Sequence, residues 1–316
     1  MNKTHSYSKR GVLASCLRQY FYEYYASAKR VAFDGQRKTV LRKLKELSGV
    51  FLLAGNRLHW VIEQHLKKDL PRGWLERTSL DGFDQAVRYS KAPEANRHLA
   101  EGRYPPPMLQ EYAYQEPRAD EWSEQAREAL TRAMRSFFED AGVTGVWQAL
   151  LQDTHWVEHR IKGLAKIDGF GVEGKIDLAG WDEYGVRIVD WKLGGTVTGE
   201  DSLQLLIYGL WAEREFEIPP ERVRVQRAFL GGPCVEKARP LDREMLRLGR
   251  ARLIQDIELM RELDVYGRAG NEEAFTPCKK ENTCRQCKYQ HLCLGSSSGL
   301  TLRPTFVSLP VLSATE

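Results

Sequence analysis

The stretch GVEGKIDLAGWDEYGVRIVDWKLGG, residues 171–195, contains two apolar runs on either side of the turn-forming cluster DEYG. That arrangement predicts a short antiparallel hairpin. If the turn is symmetric about the Glu183–Tyr184 bond, Asp177 lies directly opposite Asp190. Opposed residues have Cβ atoms roughly 5 Å apart, and like charges at that spacing destabilise a strand pair. The hairpin therefore predicts a cation between the two carboxylates.

The second strand of this hairpin separates polar from apolar side chains. Alternation places Asp190 and Lys192 on one face and Val189 and Trp191 on the other. Lys192 can therefore reach the same point as the two carboxylates. The competing interpretation is a solvated, charged strand end.

Composition describes an ordinary globular chain. It has 316 residues, of which 42% are hydrophobic and 28% are charged, enough for one large domain or two small ones. The net charge of +4 permits a nucleic-acid partner without demanding one. No long apolar run is present, and the opening residues MNKTHSYSKR lack the apolar segment of a signal peptide. We expect a cytoplasmic protein that does not associate with membranes.

Periodicity along the chain predicts a mixed sheet flanked by helices. Residues 70–119, which include three consecutive prolines, are expected to form an irregular insertion. A first helix is expected to contain Cys16. The predicted helices are residues 9–28, 37–69, 121–140, 201–216 and 240–264, and the predicted strands outside the hairpin are residues 155–161 and the segment VRVQRAFLGG.

Five of the six cysteines are candidates for a metal centre. The segment CKKENTCRQCKYQHLC, residues 278–293, holds Cys284, Cys287 and Cys293 close together among basic residues, a pattern that indicates metal binding in a reducing compartment. A fourth ligand is required. Cys278 would complete a local zinc or iron–sulfur knuckle, whereas Cys16 would tie the first helix to the last segment. The spacing leaves both open, and the isolated Cys234 is expected to be structural.

Taken together and in order, these motifs resemble the RecB-like branch of the PD-(D/E)XK nucleases, specifically its iron–sulfur members, such as the AddB nuclease domain and the CRISPR-associated RecB-like exonucleases. One departure is Leu17, where the family usually has proline. Residues 70–119 match no family motif. The residues that carry the resemblance are Cys16 with Arg18, Tyr20, Phe21 and Tyr22; Gly55 to His59; Gly174 and Asp177; Asp190, Trp191 and Lys192; Gln204 and Tyr208; and Cys284, Cys287 and Cys293.

The resemblance implies a restriction-endonuclease-like α/β fold whose N- and C-terminal segments are joined by a 4Fe-4S cluster. The implied cluster ligands are Cys16, Cys284, Cys287 and Cys293, which leaves Cys278 out. The corresponding domains are a helical region (1–150), a nuclease core (151–270) and a cysteine-rich segment and tail (271–316).

The resemblance also implies a divalent metal site, for which hard oxygen ligands favour Mg²⁺ or Mn²⁺. On its own, His59 is more typical of a satisfied helical histidine than of a metal ligand. Glu158 is a further acidic group of uncertain place. The implied metal residues are His59, Asp177, Asp190 and Trp191, and the implied catalytic residues are Asp177, Asp190, Lys192, Gln204 and Tyr208.

The resemblance implies a metal-dependent DNA nuclease, an exonuclease on single strands in repair or antiviral defence, with possible protein partners in such a complex. The alternatives are a non-catalytic nucleic-acid-binding subunit and a zinc-stapled interaction protein. Aromatic and basic side chains are expected to hold the single strand. They are Arg18, Tyr20, Tyr22, Tyr24, Lys29 and Arg30 in the first helix, and Lys279, Lys280, Arg285 and Lys288 near the cysteines. The alternative is that the tyrosines pack in the core and the lysines are merely solvated.

Overall fold

The structure is a computed structural model, and it describes residues 4–28, 31–101, 104–153, 155–162, 166–167, 170–194, 202–232, 234–293 and 302–303. Lys29, Arg30 and the serine-rich segment 296–299 lie outside these residues, as does the side chain of Cys234. Among the described residues, none of the helices combines the length and the apolar composition needed to cross a bilayer.

The helices are numbered in chain order. They are α1 (Tyr7–Ser15), α2 (Leu17–Phe21), α3 (Gly35–Lys45), α4 (Val50–Lys68), α5 (Arg72–Lys91), α6 (Arg97–Ala100), α7 (Gln110–Ala113), α8 (Ala119–Glu139), α9 (Ala141–Leu150), α10 (Ser202–Phe216), α11 (Arg243–Arg268) and α12 (Glu281–Arg285). A π-helical turn, Tyr22–Ala26, follows α2, and 3₁₀ turns occur at Pro220–Arg222 and Glu272–Ala274.

The strands are β1 (Thr4–His5), β2 (His155–Ile161), β3 (Lys166–Ile167), β4 (Phe170–Val172), β5 (Gly174–Asp182), β6 (Gly185–Lys192), β7 (Val223–Phe229), β8 (Cys234–Val235) and β9 (Arg239–Pro240). The main sheet has the order β2-β5-β6-β7-β8, and β9 also pairs with β7. A small sheet has the order β1-β4-β3.

The chain forms two compact units that are interleaved in sequence. The first contains Met1–Tyr7, Ala54–Leu80 and Ala126–Glu258, and the second contains Ser8–Leu53, Asp81–Gln125 and Leu259–Glu316. All strands of both sheets belong to the first unit.

The main sheet is mixed, as the order of elements predicts. Strand β5 is antiparallel to both of its neighbours, β2 and β6. Strands β6 and β7 are parallel and are separated in sequence by α10. A parallel pair needs such a long crossover connection. The prediction of a mixed sheet with flanking helices is confirmed.

Strand β6 lies between helices on its two faces. Trp191, which is 1% exposed, meets Phe137 of α8 edge to face, with ring centroids 5.9 Å apart. Asp190, the preceding residue, contacts Gln204 and Tyr208 of α10. Alternation along β6 therefore directs Trp191 to the apolar core and Asp190 to the opposite side.

The second unit has its own apolar core. Phe21 and Phe275 are both fully buried, and their ring centroids are 4.9 Å apart. Leu41 and Leu44 of α3 are also fully buried. Asp34 is the N-cap of α3, and its side chain accepts a hydrogen bond from the Arg37 N–H group. This is the usual role of an aspartate at that position.

Three local predictions differ from the structure. The first helix is interrupted at Cys16, whose backbone is extended (φ −163°, ψ 117°), so α1 and α2 are separate. The stretch 37–69 contains two helices, α3 and α4, rather than one. The proposed irregular insertion contains the 20-residue helix α5.

Helix α5 escaped prediction because its buried stripe is partly polar. Leu75, Phe83 and Ala86 are buried at helical spacing, but Ser79 and Ser90 are fully buried on the same stripe. Serine at these positions weakens the hydrophobic periodicity on which helix prediction depends. The Ser90 hydroxyl is satisfied by donating to the Ala86 carbonyl at 2.7 Å, as expected for a buried polar group.

Candidate active site

The hairpin has the register that the sequence predicts. Leu178 pairs with Val189, and Asp182 pairs with Gly185 across the turn. The next residues along, Asp177 and Asp190, are therefore opposed. Both are buried, at 7% and 6% exposure. Asp177 Oδ2 accepts a hydrogen bond from the Trp191 N–H group at 3.0 Å, which fixes one of its two oxygens.

His59 and Glu158 complete a cluster around Asp177. His59 Nδ1, on α4, lies 2.8 Å from Glu158 Oε1 and 3.6 Å from Asp177 Oδ1. One ligand atom from each of the three side chains lies within 4.8 Å of the others. An imidazole and two carboxylates are suitable ligands for a divalent cation, and the three residues fit such an ion.

Glu158 joins this cluster through an unusual backbone conformation. In the β2–β5 ladder, Val157 pairs with Leu178 and His159 pairs with Ile176, whereas no pairing is formed at Glu158 itself. Its φ of 47° lies in the left-handed region, which is uncommon for a residue with a side chain. Glu158 as a whole is 6% exposed, and its carboxylate is hydrogen bonded to His59.

Asp190 has a separate set of partners. Its Oδ1 accepts from Gln204 Nε2 at 2.7 Å and from the Tyr208 hydroxyl at 3.1 Å. Its Oδ2 lies 2.6 Å from Lys192 Nζ. Gln204 also donates to the Tyr208 hydroxyl at 2.6 Å, because residues four apart lie on one helix face. Four of the predicted site residues are thus in contact.

Trp191 is placed differently from the other predicted metal residues. Its indole is buried in the core, and an indole N–H group can only donate hydrogen bonds. The side chain therefore cannot hold a cation. If Trp191 takes part in binding the metal, as predicted, it does so through its main-chain carbonyl.

The electrostatics of the cluster reflect its burial. Burial raises the pKa of Asp177 to about 7, and the charges of Asp190 and Glu158 act in the same direction against the opposing effect of His59. Burial also disfavours the charged forms of His59 and Glu158. For His59, the hydrogen bond to Glu158 and the negative charges of Asp177 and Glu158 together outweigh burial, so its pKa is raised. For Glu158, the hydrogen bonds and charges of His59 and Lys175 together outweigh burial, so its pKa is lowered.

Two residues of this site had little or no sequence signal. The sequence identifies Glu158 only as an acidic residue. Its position in the site is not predicted, because strand alternation does not predict a left-handed residue. Lys175, whose ammonium contacts Glu158 Oε2, is not among the predicted site residues. Its signal was its position in the sequence GKID, two residues before Asp177 on the same strand.

Five cysteines line one cavity in the second unit. Its walls include Cys16, Cys278, Cys284, Cys287 and Cys293. The Cys278 N–H group lies 3.3 Å from Cys16 Sγ, and Cys278 Sγ lies 3.7 Å from Cys284 Sγ. All five are free thiols. The structure brings together the four predicted ligands and also Cys278.

The chemistry of these thiols fits a metal centre. Burial and the neighbouring thiols raise the pKa of Cys284 to about 11, and burial raises the pKa of Cys287 to about 12. Thiolate ligation of a metal would stabilise the deprotonated forms and release protons. A single zinc ion with Zn–S bonds of about 2.3 Å holds its sulfurs about 3.8 Å apart. Among the described side chains, no three thiols have sulfurs within 4.8 Å of one another.

Two of the three tyrosines predicted to stack bases are buried, whereas Tyr24 is half-buried. Tyr20 and Tyr22 are 1% and 0% exposed. The Tyr22 hydroxyl donates to Glu272 Oε1 at 2.5 Å, and Arg18 pairs with the same oxygen at 2.6 Å. These side chains therefore belong to the core of the second unit and its polar network. The prediction that these two tyrosines stack bases is wrong.

Comparison with known protein families agrees with the geometry. The model of the PD-(D/E)XK nuclease superfamily matches residues 4–294. The chain belongs to this superfamily, whose members are generally metal-dependent nucleases. Among curated proteins, no match to the chain was found.

Proposed function

We propose that this protein is a metal-dependent DNA nuclease that hydrolyses phosphodiester bonds at the acidic cluster formed by His59, Glu158 and Asp177. The observation that carries the proposal is the convergence of His59, Glu158 and Asp177 beside an Asp190–Lys192 ion pair. A cation bound by the cluster would lower the pKa of a bound water and stabilise charge on a phosphodiester.

The other site residues have distinct roles in this proposal. Lys192 orients the attacking water through a hydrogen bond, or stabilises charge that develops on the phosphate. Gln204 and Tyr208 are positioning residues, since both hold Asp190 Oδ1 and thereby orient the oxygen that contacts Lys192. Asp190 itself faces the metal-binding cluster from the opposed strand.

We further propose the RecB-like, iron–sulfur subtype. In this proposal Cys16, Cys284, Cys287 and Cys293 hold a 4Fe-4S cluster, which requires four thiolates. The support for this ligand set is that all four thiols line one cavity. Cys278 lines the same cavity, with its sulfur 3.7 Å from that of Cys284, so the choice between Cys16 and Cys278 needs an experiment. In this proposal, residues 1–150 form the region that carries Cys16 and His59. Residues 151–270 form the nuclease core, and residues 271–316 form the cysteine-rich segment and tail.

Metal analysis of protein purified under anaerobic conditions tests the cluster. The proposal predicts a brown protein with about four iron atoms per chain, the content of the proposed cluster. Stoichiometric zinc with little iron would instead support the zinc-stapled alternative. The nuclease proposal would survive that result, because its residues are separate from the cysteines.

We propose a free end of single-stranded DNA as the substrate, in cytoplasmic repair or antiviral defence. With Tyr20 and Tyr22 excluded, a groove of about 1270 Å³ in the second unit offers an alternative surface. It contains Phe51, which is 47% exposed, together with Trp122 and Arg285. Glu111 and Glu116 also line it, and Glu116 lies 3.9 Å from Arg285. Exposed Lys279 and Lys280 add positive charge to the same unit. Aromatic faces beside basic groups suit a single strand.

A comparison of linear and circular single strands tests the requirement for an end. Linear strands should be degraded in Mg²⁺ or Mn²⁺, whereas covalently closed circles of the same sequence should resist digestion. Rapid degradation of the circles would show endonuclease action. Absence of cleavage of either form, with tight DNA binding retained, would favour the non-catalytic subunit.

A further inference from the structure

The most informative contact outside the assigned roles is the ion pair between Lys175 and Glu158. The lysine ammonium contacts Glu158 Oε2, while Oε1 of the same carboxylate lies 2.8 Å from His59 Nδ1. Glu158, a member of the candidate metal cluster, therefore already has a cationic partner.

The two partners differ sharply in exposure. The Glu158 side chain is 1% exposed, whereas that of Lys175 is 48% exposed. A buried carboxylate is costly without a cation or hydrogen bonds. Lysine carries a compact charge on a flexible stem that can move into water. Lys175 can therefore leave Glu158 at low cost, provided that another cation takes its place.

The surroundings of Lys175 suit a second anionic partner. Lys175 lies on β5 directly opposite Arg160 on β2, so two basic residues are adjacent across the strands. Arg160 is exposed. Lys192, the other lysine of the site, is less exposed than Lys175, at 34% against 48% of its side chain.

We propose that Lys175 is an exchangeable counterion: it neutralises Glu158 in the metal-free protein, is displaced when a divalent cation binds, and then binds a phosphate of the nucleic acid. This inference rests on the proposed function and assigns a substrate-binding role to a residue outside the predicted site. Metal binding thereby makes a phosphate-binding group available.

The proposal predicts effects of opposite sign for one substitution. Lys175→Ala removes a competitor for Glu158, so Mn²⁺ should bind about three- to tenfold more tightly. It also removes a phosphate contact, so binding of single-stranded DNA should weaken. The slope of log K against log salt should become shallower by about 0.7, the value for one phosphate contact on a single strand.

Two measurements on the full chain test these effects. Calorimetry with Mn²⁺ alone gives the metal affinity. Fluorescence anisotropy with a linear single strand in Ca²⁺, over a range of salt concentrations, gives the slope, and the DNA is checked afterwards to be uncut. Lys175→Gln serves as a second neutral variant if Lys175→Ala is poorly folded. Lys175→Arg should restore the wild-type slope and remove the gain in metal affinity.

Arg160→Ala is the matched control. It removes one positive charge from the directly opposed position, and its effect on Mn²⁺ affinity should be less than about twofold. An equal gain in both variants would indicate a general electrostatic effect and overturn the exchange.

The outcomes separate this inference from the proposed function. If the wild-type protein binds Mn²⁺ and cleaves DNA, but Lys175→Ala weakens metal binding or changes neither property, only the exchange is wrong. If the wild-type protein shows no saturable Mn²⁺ binding, both proposals fail. Tighter metal binding together with a shallower salt slope supports the exchange.

Discussion

Asp177 is a carboxylate at a place where its negative charge is disfavoured. It is 7% exposed and lies near Asp190 and Glu158, and its pKa is raised to about 7. An ordinary aspartate has a pKa of about 3.9. A polar residue held at such a cost to the metal-free protein is typical of a functional site, where a bound cation offsets the repulsion.

This pKa predicts how stability depends on pH. The folded protein retains a proton on Asp177 that the unfolded chain releases, so the stability of the metal-free protein should fall as the pH rises from about 4 to about 7. Asp177→Asn cannot titrate, so its advantage over the wild type should grow through this window. Urea unfolding at pH 4.5 and pH 8, after divalent metals are removed, measures both.

Addition of Mn²⁺ at pH 8 provides the control for this prediction. The ion should stabilise the wild-type protein by binding its folded state and should have little effect on Asp177→Asn. Parallel pH profiles for the two proteins would show that Asp177 is not the titrating group.

At the scale of secondary-structure elements, the β5–β6 hairpin holds Asp177 and Asp190 in register. Gly185 closes its turn with φ of +140°, and a Cβ there would lie 2.1 Å from the Arg222 carbonyl oxygen. Any other residue would suffer both the strained backbone and this clash. The turn therefore depends on glycine, and the register of the two aspartates depends on the turn.

Gly185→Ala should destabilise the protein by at least about 2 kcal/mol, because strain at a special backbone conformation is among the severe mutational effects. The matched control is Gly145→Ala in α9, where a Cβ would meet no atom within 4 Å. That change should stabilise by about 0.5–1 kcal/mol, since alanine favours a helix more than glycine does. Equal unfolding free energies for Gly185→Ala and the wild type would contradict this account of the turn.

The hairpin and its carboxylates could be predicted from the sequence because a symmetric turn fixes the register of both strands. The position of Asp190 and Lys192 on one face of the strand could also be predicted, because side chains alternate between the two faces of a sheet. Glu158 could not be placed, because its left-handed φ of 47° interrupts the pattern of β2. The break at Cys16 likewise depends on packing within the second unit, and helix α5 was obscured by Ser79 and Ser90.

At the scale of the whole molecule, the cysteine cavity joins distant parts of the chain. Cys16 and Cys278 are 262 residues apart in sequence, yet the N–H group of one lies 3.3 Å from the sulfur of the other. A cluster ligated by Cys16 and the C-terminal cysteines would constrain the unfolded chain as a long disulfide loop does, with a stabilisation on the order of several kcal/mol.

Substitution of the two cysteines distinguishes the ligand sets. Cys16→Ser should lose iron and much of its thermal stability, whereas Cys278→Ser should retain both. Iron content and the melting temperature of each variant provide the measurement. If Cys278→Ser loses its iron and Cys16→Ser keeps it, the local set of four cysteines holds the metal instead.

The central claim is that the acidic cluster and Lys192 hydrolyse DNA, and cleavage of an end-labelled linear single strand tests it most directly. The wild-type protein should cleave in Mg²⁺ or Mn²⁺ and not in a chelator. Asp190→Ala and Lys192→Ala should each lower the rate by at least about a hundredfold while remaining folded. Lys67→Ala, which removes an exposed lysine of α4 paired with Glu63, should cleave like the wild type. Near wild-type cleavage by Asp190→Ala or Lys192→Ala would contradict the account.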